Sequence, residues 1–441
     1  MARISSVTTN VTTQIAVSGR EVFAWAMYDF ANSGYTTVVL TAVFNAYFVG
    51  VVAGGDEGRS ASATFLWTLS MAITNLLVLL SAPVLGAIAD QGARKKRFLL
   101  TTTIACAAGT AGLGWVGPGD IALGMVLVIV SSFMFATGED LIAAFLPEIA
   151  GQKDAGKISG YGWSLGYLGG LLVLGLCLWY ISWARGQGQQ APQYVPVTMW
   201  ITAAAFILSS IPTFVWLRER APAHRLAPGQ SYLRFGFERV GQTLRHARRY
   251  RDLFRFLTAL AVYYCGINAV IVLTAIYVEQ VMGFSTEETI LMILVVNVTA
   301  AIGAFGFGFL QDRMGSVRTL ALSLTLWTAA LVFAYLTHSR TWFWVVANMV
   351  GIALGSSQSA GRALIGLFSP PDRAAEFFGL WGLAGKLAAV VGTLTYGAIT
   401  FLTQGNQRLA LLCTAVFFVA GLALLATVDE QRGRSAATAA S

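Results

Sequence analysis

The sequence predicts an all-α polytopic membrane protein, with twelve transmembrane helices in two pseudo-symmetric six-helix bundles. Three observations carry this expectation. The 441 residues are 56% hydrophobic and only 11% charged, with a mean hydropathy of +0.66, far from the average of soluble domains. Apolar runs of about 20 residues, enough to cross roughly 30 Å of hydrocarbon, recur along the whole chain. A charged elbow, GAIADQGARKK from Gly86, returns in altered form as GFLQDRMGSVR from Gly308, so that Gly86 and Gly308, like Asp90 and Asp312, stand 222 residues apart. Parallel repeats of this kind are a common architecture of secondary transporters.

Taken in order, the twelve spans fall near 22–51, 63–89, 98–116, 121–147, 160–183, 196–217, 254–279, 287–310, 318–336, 342–368, 376–402 and 408–428. Residues 1–20 are polar and Thr/Ser-rich, with no basic start leading into a short apolar stretch, so no cleavable signal peptide is visible. The chain divides into this N-terminal segment, a first bundle (21–217), a central loop (218–252), a second bundle (253–428) and a tail (429–441). In the loop, Leu233, Phe237, Val240 and Leu244 recur at helical spacing, while Arg234, Arg239, Arg245, Arg248 and Arg249 lie elsewhere on the wheel. That pattern predicts a helix resting on an anionic leaflet. VVLTAVF (Val38–Phe44) and IVLTAIY (Ile271–Tyr277) repeat across the first spans of the two halves.

Lys and Arg set the orientation. Twenty-three of them fall on the side of the termini and four (Arg59, Arg185, Arg340, Arg408) on the other, which places both termini in the cytoplasm. The net charge of +8 is therefore a topology signal, and no nucleic-acid partner is expected. Four cysteines (Cys106, Cys177, Cys265, Cys413) lie within spans without CxxC spacing, so neither a disulfide framework nor a metal site is implied. No cofactor is expected.

A Gly one helical turn before an Asp lets a neighbouring helix approach, and the Asp can then accept from a facing helix N-terminus or pair with the basic turn. Such a contact exists in one arrangement of the helices and can latch it. The latch candidates are Gly86, Asp90, Arg94, Lys95, Gly308, Asp312, Arg313 and Arg318, supported by Glu148 and Glu376 at helix ends. This elbow resembles the signature between the second and third helices of the major facilitator superfamily and its repeat between the eighth and ninth. Within that superfamily, WAMYDFANSGYTTVV (Trp25–Val39), AFLPEIA…GKISGYGWSLGYLGG (Ala144–Gly170) and AAEFFGLWGLAGK (Ala374–Lys386) resemble the vacuole-effluxer-like branch, named for a fungal vacuolar amino-acid exporter linked to autophagy. The resemblance implies transport of small solutes such as amino acids, and a central cavity lined by helices 1, 4, 7 and 10. Short loops point to a bacterial cytoplasmic membrane, and a monomer is expected.

Five ionisable residues fall well inside spans: Asp29, Glu139, Asp140, Arg362 and Lys386. Each costs on the order of 2.5–3.5 kcal/mol at the bilayer centre on insertion scales, and five together rival the typical ~5–15 kcal/mol stability of a domain. They must face water or one another. At about 1.5 Å per residue, Asp29 lies roughly 12 Å and Lys386 roughly 15 Å from their cytoplasmic ends. The 222-residue offset maps Asp140 onto Arg362, so a gate pair of Arg362 with Asp140 or Glu139 is expected. Asp29 is the expected substrate or proton-coupling group, beside a polar stretch holding Asn32 and Tyr35. On the seventh span Tyr263, Tyr264 and Asn268 complete the substrate-binding or coupling set.

An enzyme would need a catalytic cluster, yet only three histidines occur (His224, His246, His338), and no HExxH, GxSxG or Walker pattern is present. A non-transporting receptor would not need opposed charges in both halves. The expected partners are a small-molecule substrate, protons and anionic lipids at the central loop. Two cations and an anion suit a zwitterion such as an amino acid; a sugar acid or a peptide fragment remains the alternative.

Overall fold

The computed structural model describes residues 17–54, 60–151, 153–221, 231–245 and 248–439. Residues 1–16 of the expected N-terminal segment, Arg59, residues 222–230 of the central loop with His224, and His246 lie outside them. The described residues hold helices and no strand. Along the chain the spans are Gly19–Val52, Ser60–Gln91, Lys95–Gly112, Ile121–Ala143, Ala155–Gly186, Ala191–Trp216, Arg251–Gln280, Thr286–Met314, Ser316–Leu336, Arg340–Phe368, Ala374–Leu402, and a last one built from Gln407–Cys413 and Ala415–Leu425. Several begin earlier than the hydropathy suggests, the fifth at Ala155 rather than 160. Apolarity marks only the part of a helix in hydrocarbon, and these helices start in the polar rim, where acidic side chains take up their free N–H groups.

Eleven of the spans are long and apolar enough to cross a membrane by length and composition. The tenth, Arg340–Phe368, is less apolar because it carries Asn348, Ser356, Ser357, Gln358, Ser359 and Arg362. It compensates by packing against the eighth, ninth and fifth spans. Helix starts follow local chemistry: Ser18 with Glu21 and Ser285 with Glu288 form capping boxes at the first and eighth spans. The first span is α-helical to Tyr35 and then widens into π-helical turns at Thr36–Ala42 and Phe48–Val52, the kind of local unwinding that accompanies functional sites.

Between the two halves the second span lies against the eleventh and the fifth against the eighth. Small residues allow this. A Cβ on Gly379 would sit 2.6 Å from the Ala82 carbonyl oxygen, and one on Gly160 would sit 2.6 Å from that of Ala304, so backbone meets backbone as in small-xxx-small contacts.

The linker helix, Tyr232–Arg245, forms where the apolar spacing places it, and its Gly236, Arg239 and Thr243 side packs on the bundle. Gly236 abuts Val84 and Ile88 of the second span, and buried Thr243 donates to Glu376. Arg239 points inward to Glu376 (3.2 Å), to Gln91 (3.2 Å) and to the Asp372 carbonyl (3.0 Å). Phe237 is 62% exposed. The buried Glu376 carboxylate thus takes a cation and a hydroxyl from this helix, while Phe237 is left on the outer side. Arg234 stays outside, paired with Glu238. A tail helix, Glu430–Thr438, packs under the tenth span, with Gly433 against Phe368.

Candidate functional site

Each elbow plugs the N-terminus of a helix in the opposite half. Asp90 accepts from the Ala375 and Glu376 amides at 3.1 and 2.9 Å, and Asp312 accepts from the Gly156 and Lys157 amides at 2.9 and 3.0 Å. A carboxylate there satisfies free N–H donors and meets the positive end of the helix dipole. A Cβ on Gly86 would fall 2.9 Å from the Glu376 nitrogen, and one on Gly308 would fall 2.8 Å from the Gly156 oxygen. The turn after each Asp passes through the left-handed region, at Ala93 (φ 46°) and Gly315 (φ 92°).

The first elbow is the more elaborate. Lys95 is fully buried, 3.7 Å from Asp90 and paired with Glu148. Glu148 also accepts from the amides of Arg220 and Ala221. Glu376, buried as well, accepts from Arg373 at 2.8 and 2.9 Å besides Arg239 and Thr243. Arg94 stacks over the Tyr232 ring at 5.7 Å. Arg313 and Arg318, expected in the latch, are exposed and have no partner among the described residues; of the second elbow's charged candidates only Asp312 bonds across the halves, beside the close contact at Gly308.

Two further acids that the sequence reading did not single out act alike within each half. Glu219, just after the sixth span, accepts from the Lys95 and Lys96 amides at 2.8 and 3.2 Å. Glu430, after the twelfth span, accepts from Val317 at 3.0 Å. Burial pushes the Glu219 carboxyl above its ordinary value against the opposing pull of those amides and of Lys95. Their positions just beyond the last apolar run of each half do not set them apart from ordinary loop charges in the sequence.

Deeper in the bundle, the expected pairing changes. Arg362 of the tenth span binds Asp29 at 2.6 Å, not Asp140 or Glu139. It also donates to the Ser159 hydroxyl (3.2 Å) and carbonyl (2.9 Å). Its guanidinium lies over two indoles, 4.6 Å from the Trp25 ring and 5.2 Å from the Trp163 ring. Gly162 leaves room for this: a Cβ there would lie 2.8 Å from the Trp25 ring and would overlap both Asp29 and Arg362. Symmetry-equivalent positions need not touch, and the long Arg362 side chain reaches toward the first and fifth spans instead.

On the side of this pair away from the elbows is a cavity of about 200 Å³. Glu139 and Asp140 line it from the fourth span, Tyr264 and Asn268 from the seventh, Trp381 and Lys386 from the eleventh; Trp163 and Gln358 also border it. One Asp140 oxygen is buried without a hydrogen-bond partner, and Lys386 has no ion-pair partner among the described residues. Gly382 makes space for the Asp140 carboxyl, 2.5 Å from where its Cβ would be.

The other candidates lie elsewhere. Tyr35 bonds Ser131 and Ser132 at 2.8 and 2.9 Å inside the first half, and Tyr263 is buried beneath Gly361 and Gly421. Asn32 is buried with an unpartnered oxygen, outside the cavity wall. Trp25, Trp163, Ser159, Gln358 and Trp381 were not singled out; the aromatic ones all fall within the family-like strings. Three cysteines are buried and Cys413 half-buried, all free, and no group of metal-ligating side chains occurs among the described residues.

The model of the family described as vacuole effluxer Atg22-like matches residues 50–438. The chain belongs to that family. An uncharacterized MFS-type transporter of Bacillus subtilis, YxiO, is 28% identical over 92% of this chain and 94% of its own length. Autophagy-related protein 22-1 of Aspergillus niger is 23% identical over 63% of this chain, which spans 48% of that protein's length. Among solved structures, the proton:xylose symporter XylE superposes with a TM-score of 0.72 at 14% identity, over 94% of this chain and 96% of that one. This Atg22-like protein is thus an MFS-type transporter, not an enzyme, and the elbows, the Arg362 pair and the cavity are parts of a major facilitator fold closed at the elbow end.

Proposed function

We propose that this Atg22-like protein is a secondary active transporter of a small solute carrying both an ammonium and a carboxylate, such as an amino acid, moved by alternating access and coupled to protons. One observation carries the reading: the cavity holds Glu139 and Asp140 on the first half and Lys386 on the second, with Tyr264, Asn268 and Gln358 as neutral partners. Two acids facing one base across a gap complement a zwitterion that bridges it. The volume is below the roughly 300–1,000 Å³ of drug-sized sites, which favours a small cargo. Proton coupling is best assigned to Glu139 and Asp140. Asp29 already has a partner in Arg362, and protonating it would break a 2.6 Å ion pair. Both termini are proposed to be cytoplasmic, in a bacterial cytoplasmic membrane. The exposed Phe237 and Arg234 of the linker helix then meet anionic lipid, and the working unit is a monomer.

The test is a thermal-shift screen of the purified protein against amino acids, dipeptides, sugars and organic acids, since a ligand that binds only the folded state raises its melting temperature. Amino acids are expected to stabilise the wild type, and Lys386→Gln to weaken this by about tenfold or more in concentration. Stabilisation by neutral sugars alone would sink the zwitterion reading.

A further inference from the structure

Arg362 is a peg of the second half seated in a socket made wholly of the first half. Asp29 supplies the charge at 2.6 Å, Ser159 two oxygens at 3.2 and 2.9 Å, and the Trp25 and Trp163 rings lie 4.6 and 5.2 Å from the guanidinium carbon. A carboxylate, two acceptors and two indole faces around one delocalised cation are the elements by which proteins recognise ammonium and guanidinium ligands. Gly162 keeps the space open. Trp163 forms a wall of the socket and also of the central cavity, so the two adjoin. Every group that holds the peg belongs to the first or fifth span, whereas the peg rides on the tenth. Parting of the halves at the elbow end therefore withdraws the cation, frees the Ser159 hydroxyl from the Ser359 carbonyl that it bonds at 2.8 Å, and leaves empty a socket whose walls all belong to the first half.

We infer that this socket is a cation-binding cage that the first half offers to an ammonium or guanidinium group of the cargo once Arg362 has left it. The inference rests on the alternating-access reading and assigns the cage one cationic group. In the closed arrangement the protein's own guanidinium occupies the cage and competes with the cargo. A cationic group entering from the cavity past Trp163 favours the arrangement in which the peg is out, because a ligand shifts an equilibrium toward the state it binds.

The experiment needs no transport assay. Guanidinium and methylammonium chloride at low millimolar concentration, with urea as the uncharged control, are titrated onto purified protein and followed by melting temperature and tryptophan fluorescence. Arg362→Ala removes the tethered competitor, so guanidinium should act at roughly tenfold lower concentration than on the wild type. Adding Asp29→Asn should abolish the effect, and Trp25→Leu should weaken it. A second variant keeps Arg362: Asp90→Asn with Asp312→Asn loosens both elbows, frees the peg more often and should raise guanidinium affinity severalfold in proportion to the competent fraction. Equal responses of Arg362→Ala and wild type, or a response that survives Asp29→Asn, would overturn the cage. An elbow variant that binds no better than wild type would overturn its link to the opening of that end. Neither failure bears on whether amino acids bind at Lys386, which the ligand screen decides separately.

Discussion

Replacing Asp90 by Asn tests the latch at its most exposed assumption. Asp90 takes two backbone N–H bonds at 3.1 and 2.9 Å from the eleventh span. Asn keeps one acceptor oxygen and turns an amide group toward the other donor. The loss is one charge-assisted bond, about 1.5–3 kcal/mol, plus the charge facing the helix N-terminus, about 0.3–1 kcal/mol. Together these come to about 2–4 kcal/mol, felt only in the closed arrangement, and at about 1.4 kcal/mol per decade the open fraction should rise roughly 30- to 800-fold. The reporter is Cys in place of Ala304, fully buried in the eighth span where it meets Gly160 of the fifth, in an otherwise cysteine-free chain. Its labelling rate should rise by that factor in Asp90→Asn, and similarly in Asp312→Asn. The reporter lies on the other side of the bundle from Asp90, so the result also asks whether the halves rock as rigid bodies. Unchanged labelling in a variant of normal melting temperature would refute the latch.

Two further expectations concern pH and orientation. Burial raises the Glu219 carboxyl above its ordinary 4.5, so the folded chain holds that proton more tightly than the unfolded one. The associated stability is full below pH 4.5 and is lost as pH rises through the raised value; Glu219→Gln should flatten that part of the melting-temperature profile between pH 4 and 8, and an unchanged slope would remove the assignment. For orientation, Arg340→Cys should react with an impermeant thiol reagent applied outside cells while Arg313→Cys stays protected, and the reverse pattern would invert the topology.

The elbows were legible because charge is rare in this chain. A Gly-xxx-Asp followed by basic residues between two apolar runs stands out, and its repetition at 222 residues marks it as architecture. The Glu219 and Glu430 caps were not legible, since a single acid just outside an apolar run looks like any solvated loop charge. Arg362 was recognisable as costly and therefore partnered, but its partner was not. The repeat relates positions by a rotation, and the contact depends on where a long side chain points after the helices pack. Trp163 and Gln358 escaped for a different reason: uncharged side chains carry little insertion penalty, so nothing in composition marks them as cavity wall. The partner of Arg239 was not legible either: periodicity separates it from the apolar side, but only the packed structure shows the buried Glu376 carboxylate that it meets.

The distribution of the buried charges constrains how the two halves can work. Asp29, Glu139 and Asp140 all belong to the first half, and Arg362 and Lys386 to the second. Attraction across the divide is therefore built in at two depths. At the depth nearer the elbows it is consummated, at 2.6 Å between Asp29 and Arg362; at the cavity, Lys386 stands apart from the two acids. The closed end also holds the Asp90 and Asp312 caps and the Arg239 contacts, all of which cross between halves, whereas the Glu219 and Glu430 caps stay within one half and survive any rocking motion. Opening that end gives up several charge-assisted contacts at once, each worth about 1.5–3 kcal/mol. A transporter that cycles needs a comparable gain elsewhere, because a large imbalance would hold it in one arrangement. The unpaired set at the cavity is the place where that gain is available, to Lys386 directly as the far end closes, or, on the proposed reading, to a bridging zwitterion whose carboxylate pairs with Lys386 and whose ammonium pairs with one acid while a proton neutralises the other. Cargo and gate then draw on the same charges, which is why removing Lys386 should impair both binding and the return of the empty carrier.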